Sequence, residues 1–190
     1  MRNHPLRALL VVVAIGAAGL GLTACSPTAI NAPMRPNGLS QLNATFGNRC
    51  STAASAGGQN WPWGNVWSGS TYKVGYVKHH AKLANTYMVL EYAIIGPYGD
   101  NMPFAQAVGN FNCRQIAGSS SWSVHSWGVA YDVNSGRNPR GQGHWNGVAS
   151  TGVNHGNEIP DAFQADAFVH YWGLNFSNPD PMHFQYVTGY

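Results

Sequence analysis

The spacing of apolar positions changes along the chain, and each change predicts an element. His80, Leu83, Tyr87, Leu90 and Ile94 recur at three- and four-residue steps, which predicts a helix from about His79 to Ile95, stopped by Gly96-Pro97. A second helix is predicted from Pro160 to about Trp172, with Phe163, Ala167, Phe168 and Tyr171 along one side and Gly173 as its stop. Between them the period shortens to two. Val129, Tyr131 and Val133 alternate with Ala130, Asp132 and Asn134, predicting a strand over Trp127 to Asn134 with Asp132 on the face opposite Tyr131. Met182 and Phe184 alternate with His183 and Gln185, predicting a short closing strand. From Gly57 to Gly75, Trp61, Trp63 and Trp67 lie among Gly, Ser and Asn, a pattern of loops or short irregular strands whose indoles serve as packing groups. Helices combined with short, non-repeating strands predict an α+β domain, its helices packed on a small antiparallel sheet.

The N-terminal pattern is of another kind. Arg2 and Arg7 precede an apolar run from Ala8 to Leu22, the layout of a bacterial export signal. The run is shorter than the roughly 20 apolar residues a spanning helix needs. It ends in Leu22-Thr23-Ala24-Cys25, which resembles a lipoprotein processing box. That resemblance implies removal of residues 1–24, lipidation of Cys25, and a chain held outside the cytoplasm on the bacterial cell membrane. An uncleaved anchor is the alternative, and it leaves the domain on the same side. Residues 25–38, polar and punctuated by Pro27, Pro33, Pro36 and Gly38, are expected to form a flexible tether, with one domain over 39–190.

Without the leader, eight Lys and Arg face seven Asp and Glu, a net charge of +1. With no basic cluster, this balance argues against a nucleic-acid partner. Once Cys25 carries lipid, Cys50 and Cys113 are the remaining cysteines, and in an oxidising compartment such a pair is most simply a disulfide.

Candidate chemistry concentrates near the C-terminal end. His125, Asp132 and His183 form a two-imidazole, one-carboxylate set, with Asp180 three residues before the last of them. Three such ligands with an open fourth position are what zinc needs to generate a hydrolytic nucleophile from water at neutral pH. Each residue also has an ordinary structural use: a hydrogen-bonded histidine, or an aspartate that caps or turns the backbone. Residue type and spacing leave both readings open. His79 and His80 before the first helix, and His144 and His155 in Gly/Asn-rich loops, are weak ligands or solvated surface groups.

A resemblance changes that balance. Cys113-Arg114, Gly118, the run Ser123-Val124-His125-Ser126-Trp127-Gly128-Val129-Ala130-Tyr131-Asp132-Val133-Asn134, then Asn138-Pro139, Phe168, Trp172-Gly173 and Asp180-Pro181-Met182-His183-Phe184 stand in that order. Together they resemble the peptidase M15 family, the D-alanyl-D-alanine carboxypeptidases and related peptidoglycan endopeptidases of the VanY-like type, whose zinc-binding fold is shared with the hedgehog signalling domain. The resemblance implies one zinc ion held by His125, Asp132 and His183, with Asp180 as the catalytic carboxylate. It also implies an arginine, Arg114, that contacts substrate and stabilises the reacting carbonyl, and a serine, Ser123, that lines the site. The chain departs from the family in Asp180, where some relatives have Glu, in Gln185, where Glu is common, and in Tyr131, where an aliphatic residue is common.

The activity so implied is D-alanine removal from peptidoglycan stem peptides by a monomeric enzyme. Asp180 would take a proton from water and return it to the departing amine, while Arg114 faces the developing oxyanion or the substrate's terminal carboxylate. The alternatives are endopeptidase action, at an L-Ala-D-Glu bond or a cross-link, and a non-catalytic zinc-containing module that binds cell wall.

Overall fold

The computed structural model describes residues 32–61, 75–87, 90, 111–148, 154, 156–165 and 170–190. The expected leader with Cys25, the Trp63 and Trp67 positions, residues 91–97, His155, Ala167 and Phe168 therefore lie outside the described residues.

Helix α1, Gly38–Phe46, buries Leu42 and Phe46 one turn apart. Strands β1, Gly57–Trp61, and β2, Gly75–His79, pair antiparallel from Gly57 opposite His79 to Trp61 opposite Gly75. The stretch expected to hold loops or short irregular strands, Gly57 to Gly75, thus supplies β1 and the first residue of β2. Farther on come β3, Ala130–Asp132, helix α2, Glu158–Gln164, β4, Tyr171–Trp172, and β5, His183–Gln185. The last three strands make one antiparallel sheet in the order β3-β5-β4, so the expected α+β class and small antiparallel sheet hold.

Four boundaries differ from expectation, each because tertiary contacts override local pattern. The helix predicted over 160–172 ends at Gln164, where Ala165 turns to an extended backbone with ψ 150°. Tyr171 and Trp172 instead pair with Gln185 and Phe184. Trp172 stacks on Phe184, ring centroids 5.8 Å apart, an apolar contact that a continued helix would forfeit. The helix predicted from His79 starts later: His79 closes β2, Ala81–Leu83 form a 3-10 turn capped by His80, and residues 84–87 continue as helix. The strand predicted over 127–134 shrinks to three residues, because Val124–Trp127 coil into a 3-10 turn and Asn134 takes a left-handed φ of 52°. Finally, residues 33–38 of the expected tether are docked. Gly38 N–H donates to Thr188 O, Thr188 N–H to Pro36 O (3.0 Å), and the Tyr186 hydroxyl to Pro33 O.

Phe184 occupies the middle of the core. It stacks on Phe163 of α2 with centroids 4.3 Å apart, while Phe163 also meets Tyr131 of β3. Because side chains alternate along β5, burying Phe184 against α2 turns its neighbour His183 to the other face. The predicted disulfide joins Cys50 and Cys113, with Cα atoms 5.2 Å apart, and ties the segment after α1 to the residues before Arg114. No helix among the described residues is long and apolar enough to cross a membrane.

Candidate metal centre

Strand register assembles the site. Asp132 lies directly opposite His183 across the β3–β5 ladder, so two residues 51 apart in sequence become a cross-strand pair. His125 comes from the 3-10 turn just before β3. Ser123 caps that turn, its hydroxyl accepting from the His125 N–H, and Gly128 closes it with φ 66°. A side chain at Gly128 would also collide with the Ala54 carbonyl, so only glycine lets the turn lie against this segment. Cys50 N–H donates to Ser126 O (2.7 Å), and the disulfide therefore braces the turn that carries His125.

Three donor atoms converge. His183 Nδ1 is 2.9 Å from Asp132 Oδ1, His125 Nε2 is 3.2 Å from the same oxygen, and the two ring nitrogens are 3.2 Å apart. Tetrahedral zinc with bonds of about 2.0–2.1 Å keeps its donors roughly 3.3 Å apart, so this set fits the ion without rearrangement. The residues around it support the assignment of atoms. Gln185 Nε2 donates to Val187 O, which fixes the amide so that its Oε1 accepts from His183 Nε2–H at 3.0 Å. That hydrogen bond places the ring proton on Nε2 and aims the Nδ1 lone pair at Asp132 and His125.

The electrostatics agree with a site built for a cation. Burial pushes the Asp132 carboxyl up, but the charges and hydrogen bonds of His125 and His183 outweigh it and hold it well below the usual carboxylate range. Burial pushes His183 down, yet the hydrogen bond and charge of Asp132, with smaller help from Asp180 and Gln185, bring it above an ordinary imidazole. Asp180 goes the other way: burial raises its carboxyl above the usual range, opposed by His183 and Arg140 and reinforced by Asp132. Its Oδ1 is buried with no hydrogen-bond partner, a carboxylate oxygen held without a structural use. Its backbone is fixed instead: Asp180 N–H donates to Gly173 O and Asp180 O accepts from His183 N–H. A Cβ at Gly173 would meet the Asp180 carbonyl, so this glycine serves close backbone approach rather than the helix stop expected of it.

The expected site residues gather in one cavity of about 390 Å³, lined by His125, Asp132 and His183 together with Arg114, Ser123 and Asp180. Arg114 is exposed; its N–H donates to Ser126 Oγ and its guanidinium to Gln115 O. Ser123 is buried and serves both as the cap of the turn and as cavity wall. Sequence reasoning missed Arg140, which lines the same cavity and bears on Asp180. The one signal for it was its place two residues after Asn138, whose side chain accepts from Asn146 N–H and donates to Asn134 O, while Gly141 N–H donates to Pro179 O.

The other histidines are corrected or placed elsewhere. His79 and His80 are buried rather than solvated. His80 accepts from Lys82 N–H at Nδ1 and donates to Phe46 O from Nε2, a purely structural role. His144 is exposed in its loop. Among the described residues, His125, Asp132 and His183 are the one group of three potential ligands close enough to share an ion.

A family model described as D-alanyl-D-alanine carboxypeptidase, of the M15 peptidases, matches residues 117–186. The match spans His125, Asp132, Asp180 and His183 and stops short of Arg114 and the disulfide. The chain matches no curated protein and no solved structure.

Proposed function

Taking residues 117–186 as an M15 peptidase segment, we propose that the protein is a zinc-dependent D-alanyl-D-alanine carboxypeptidase of peptidoglycan stem peptides. The observation that carries this reading is the convergence of His125 Nε2, Asp132 Oδ1 and His183 Nδ1 within 3.2 Å, beside Asp180, whose Oδ1 is buried without a hydrogen-bond partner. On this reading the domain is of the zinc-binding type shared by hedgehog and the DD-peptidases, works as a monomer, and is anchored outside the cell membrane through lipidated Cys25. The Cys50–Cys113 bridge suits such an oxidising compartment.

Zinc held by the three donors supplies Lewis acidity toward a scissile carbonyl and toward water, whose pKa it lowers to about 7. Every other part belongs to the chain. Asp180 accepts a proton from the attacking water and returns it to the departing amine; burial lifts its basicity in the direction this task requires. Gln185 keeps the His183 ring in one tautomer. Arg114 and Arg140, both in the cavity, offer cations for the developing oxyanion and for a terminal carboxylate.

Endopeptidase action is supported by one feature, the continuation of the cleft past Ile116, Ala117, Arg140 and Tyr190 into a second cavity. A stem pentapeptide and the same peptide amidated at its C-terminus separate the two activities. The zinc-loaded protein is expected to release D-alanine from the free acid and to lose most of that turnover on the amide. Release of an internal fragment instead assigns the endopeptidase activity, and intact recovery of both peptides rejects the carboxypeptidase.

A further inference from the structure

The cavity that holds the candidate metal centre does not end at Arg140. It shares Ile116, Ala117, Arg140 and Tyr190 with a second cavity of about 730 Å³, for which the reaction at Asp180 has no evident need. Among the described residues the second cavity is lined by Arg49 and Arg140 and by no Asp or Glu side chain, which makes it electropositive. One wall is the hairpin from Gln115 to Trp122, closed by the Ile116 N–H to Ser121 O bond (2.9 Å) and presenting Ser119 to Ser121. Tyr190 lines the cavity beside this hairpin, its hydroxyl donating to Trp122 O (2.6 Å) and its ring meeting Trp127 edge-on.

Arg49 is built into this cavity. Its guanidinium carbon lies 4.5 Å from the centroid of the Trp122 ring, a cation–π contact that holds the head group over the indole. Its backbone is pinned too, because Arg49 immediately precedes Cys50 while Arg114 immediately follows Cys113, and the disulfide joins those two cysteines. The bridge therefore ties the backbone of an arginine lining the metal cleft to that of an arginine lining the adjoining cavity.

We propose that the second cavity is a binding subsite for an anionic peptide chain leading away from the bond cut at the metal centre, with Arg49 meeting an internal carboxylate of that chain. Serine hydroxyls along the hairpin serve the peptide's amide groups, and the Trp122 and Tyr190 rings its apolar stems. The subsite rests on the peptidase reading for its direction and for the class of its ligand. A charged guanidinium is spent here on recognition, so specificity depends on carboxylates several residues from the reacting bond.

Binding tests this apart from cleavage. The probes are a synthetic stem pentapeptide with its internal carboxylates free and the same peptide with those carboxylates amidated, the C-terminal carboxylate being free in both. Titration calorimetry on the zinc-loaded full chain carrying Asp180→Asn, which blocks turnover, is expected to show the acidic peptide binding about tenfold tighter, the worth of one charge-assisted hydrogen bond. Addition of Arg49→Gln abolishes that preference, and Arg49→Lys, which keeps the charge, preserves much of it. Equal affinity for the two peptides overturns the subsite, as does a preference that survives Arg49→Gln. Since binding is read without cleavage, a wild-type protein that cuts neither peptide refutes the peptidase reading while the subsite is still judged by the calorimetry. A misfolded Arg49→Gln protein leaves the decision to the amidated peptide and Arg49→Lys.

Discussion

The two faces of strand β3 carry buried histidines in opposite electrostatic states. On one face Asp132 sits among His125 and His183, and its carboxylate lifts His183 above an ordinary imidazole. On the other, Tyr131 packs on Tyr87, whose ring in turn meets His79 and His170. Burial drives His79 down to about 4, opposed by the hydrogen bond of its Nδ1 to the His80 carbonyl and only then reinforced by the charge of the His80 ring. Burial is common to both sets. The carboxylate is what turns one of them into a place for a cation, while the other is aromatic packing with nitrogen in it.

Removing ligands should break this comparison most strongly. His125→Ala, His183→Ala and Asp132→Ala are expected to lower zinc affinity on the order of a thousandfold or more and to abolish peptidase activity. Asp180→Asn should keep its zinc and lose turnover by roughly 10²–10⁴. Metal analysis beside a muropeptide assay separates the two outcomes, and zinc loss in Asp180→Asn would mean that this carboxylate belongs to the ligand set.

Loss of the brace comes next. Cys50→Ser with Cys113→Ser opens a loop closed over 63 residues and should cost about 2–4 kcal/mol in denaturant melts. The turn carrying His125 hydrogen-bonds to Cys50, so zinc affinity should fall in parallel. Unchanged zinc binding in a destabilised protein would show the two to be independent.

The opposite shifts of His79 and His183 also give stability slopes of opposite sign. The folded pKa of His79, about 4, lies below its unfolded value of 6.5, so the unfolded chain binds more protons between those limits. Stability from this group is complete above pH 6.5 and declines as pH falls toward 4, by up to about 3 kcal/mol. His183 in the metal-free protein does the reverse: its folded pKa is raised, so its contribution is complete below 6.5 and is lost as pH rises through the raised value. Urea melts between pH 4 and 8 should show a shallower acid limb in His79→Gln, the remainder coming from His80, which burial also pushes down. An acid limb of the same depth in that variant would contradict the assignment.

The smallest expected effect is at Gln185. Replacement by Ala frees the His183 ring to change tautomer and should weaken zinc binding by about 10–100-fold without removing a ligand. Replacement by Glu restores an acceptor and should recover most of it.

Much of the candidate centre was legible because its chemistry is local. His125 and Asp132 lie on one short turn and strand, and the alternation around Asp132 correctly put Tyr131 on the opposite face. The closing strand read correctly for the same reason: Phe184 must be buried and His183 must then face away. Strand β4 was illegible. Tyr171 and Trp172 extend a helical spacing that Phe163 begins, and only their pairing with β5 makes them a strand. Arg140 and Arg49 escaped notice because each reaches its cavity through contacts from distant segments, Pro179 for one and Trp122 for the other. His79 and His80 were misplaced on the surface because adjacent polar residues carry no periodic sign of burial.

Zinc content of the purified chain tests the account most directly, measured by mass spectrometry in the wild type, His183→Ala and His79→Gln. The account predicts one zinc per chain in the wild type and in His79→Gln, and close to none in His183→Ala. One full equivalent in His183→Ala, or none in a correctly folded wild type offered zinc, would contradict it.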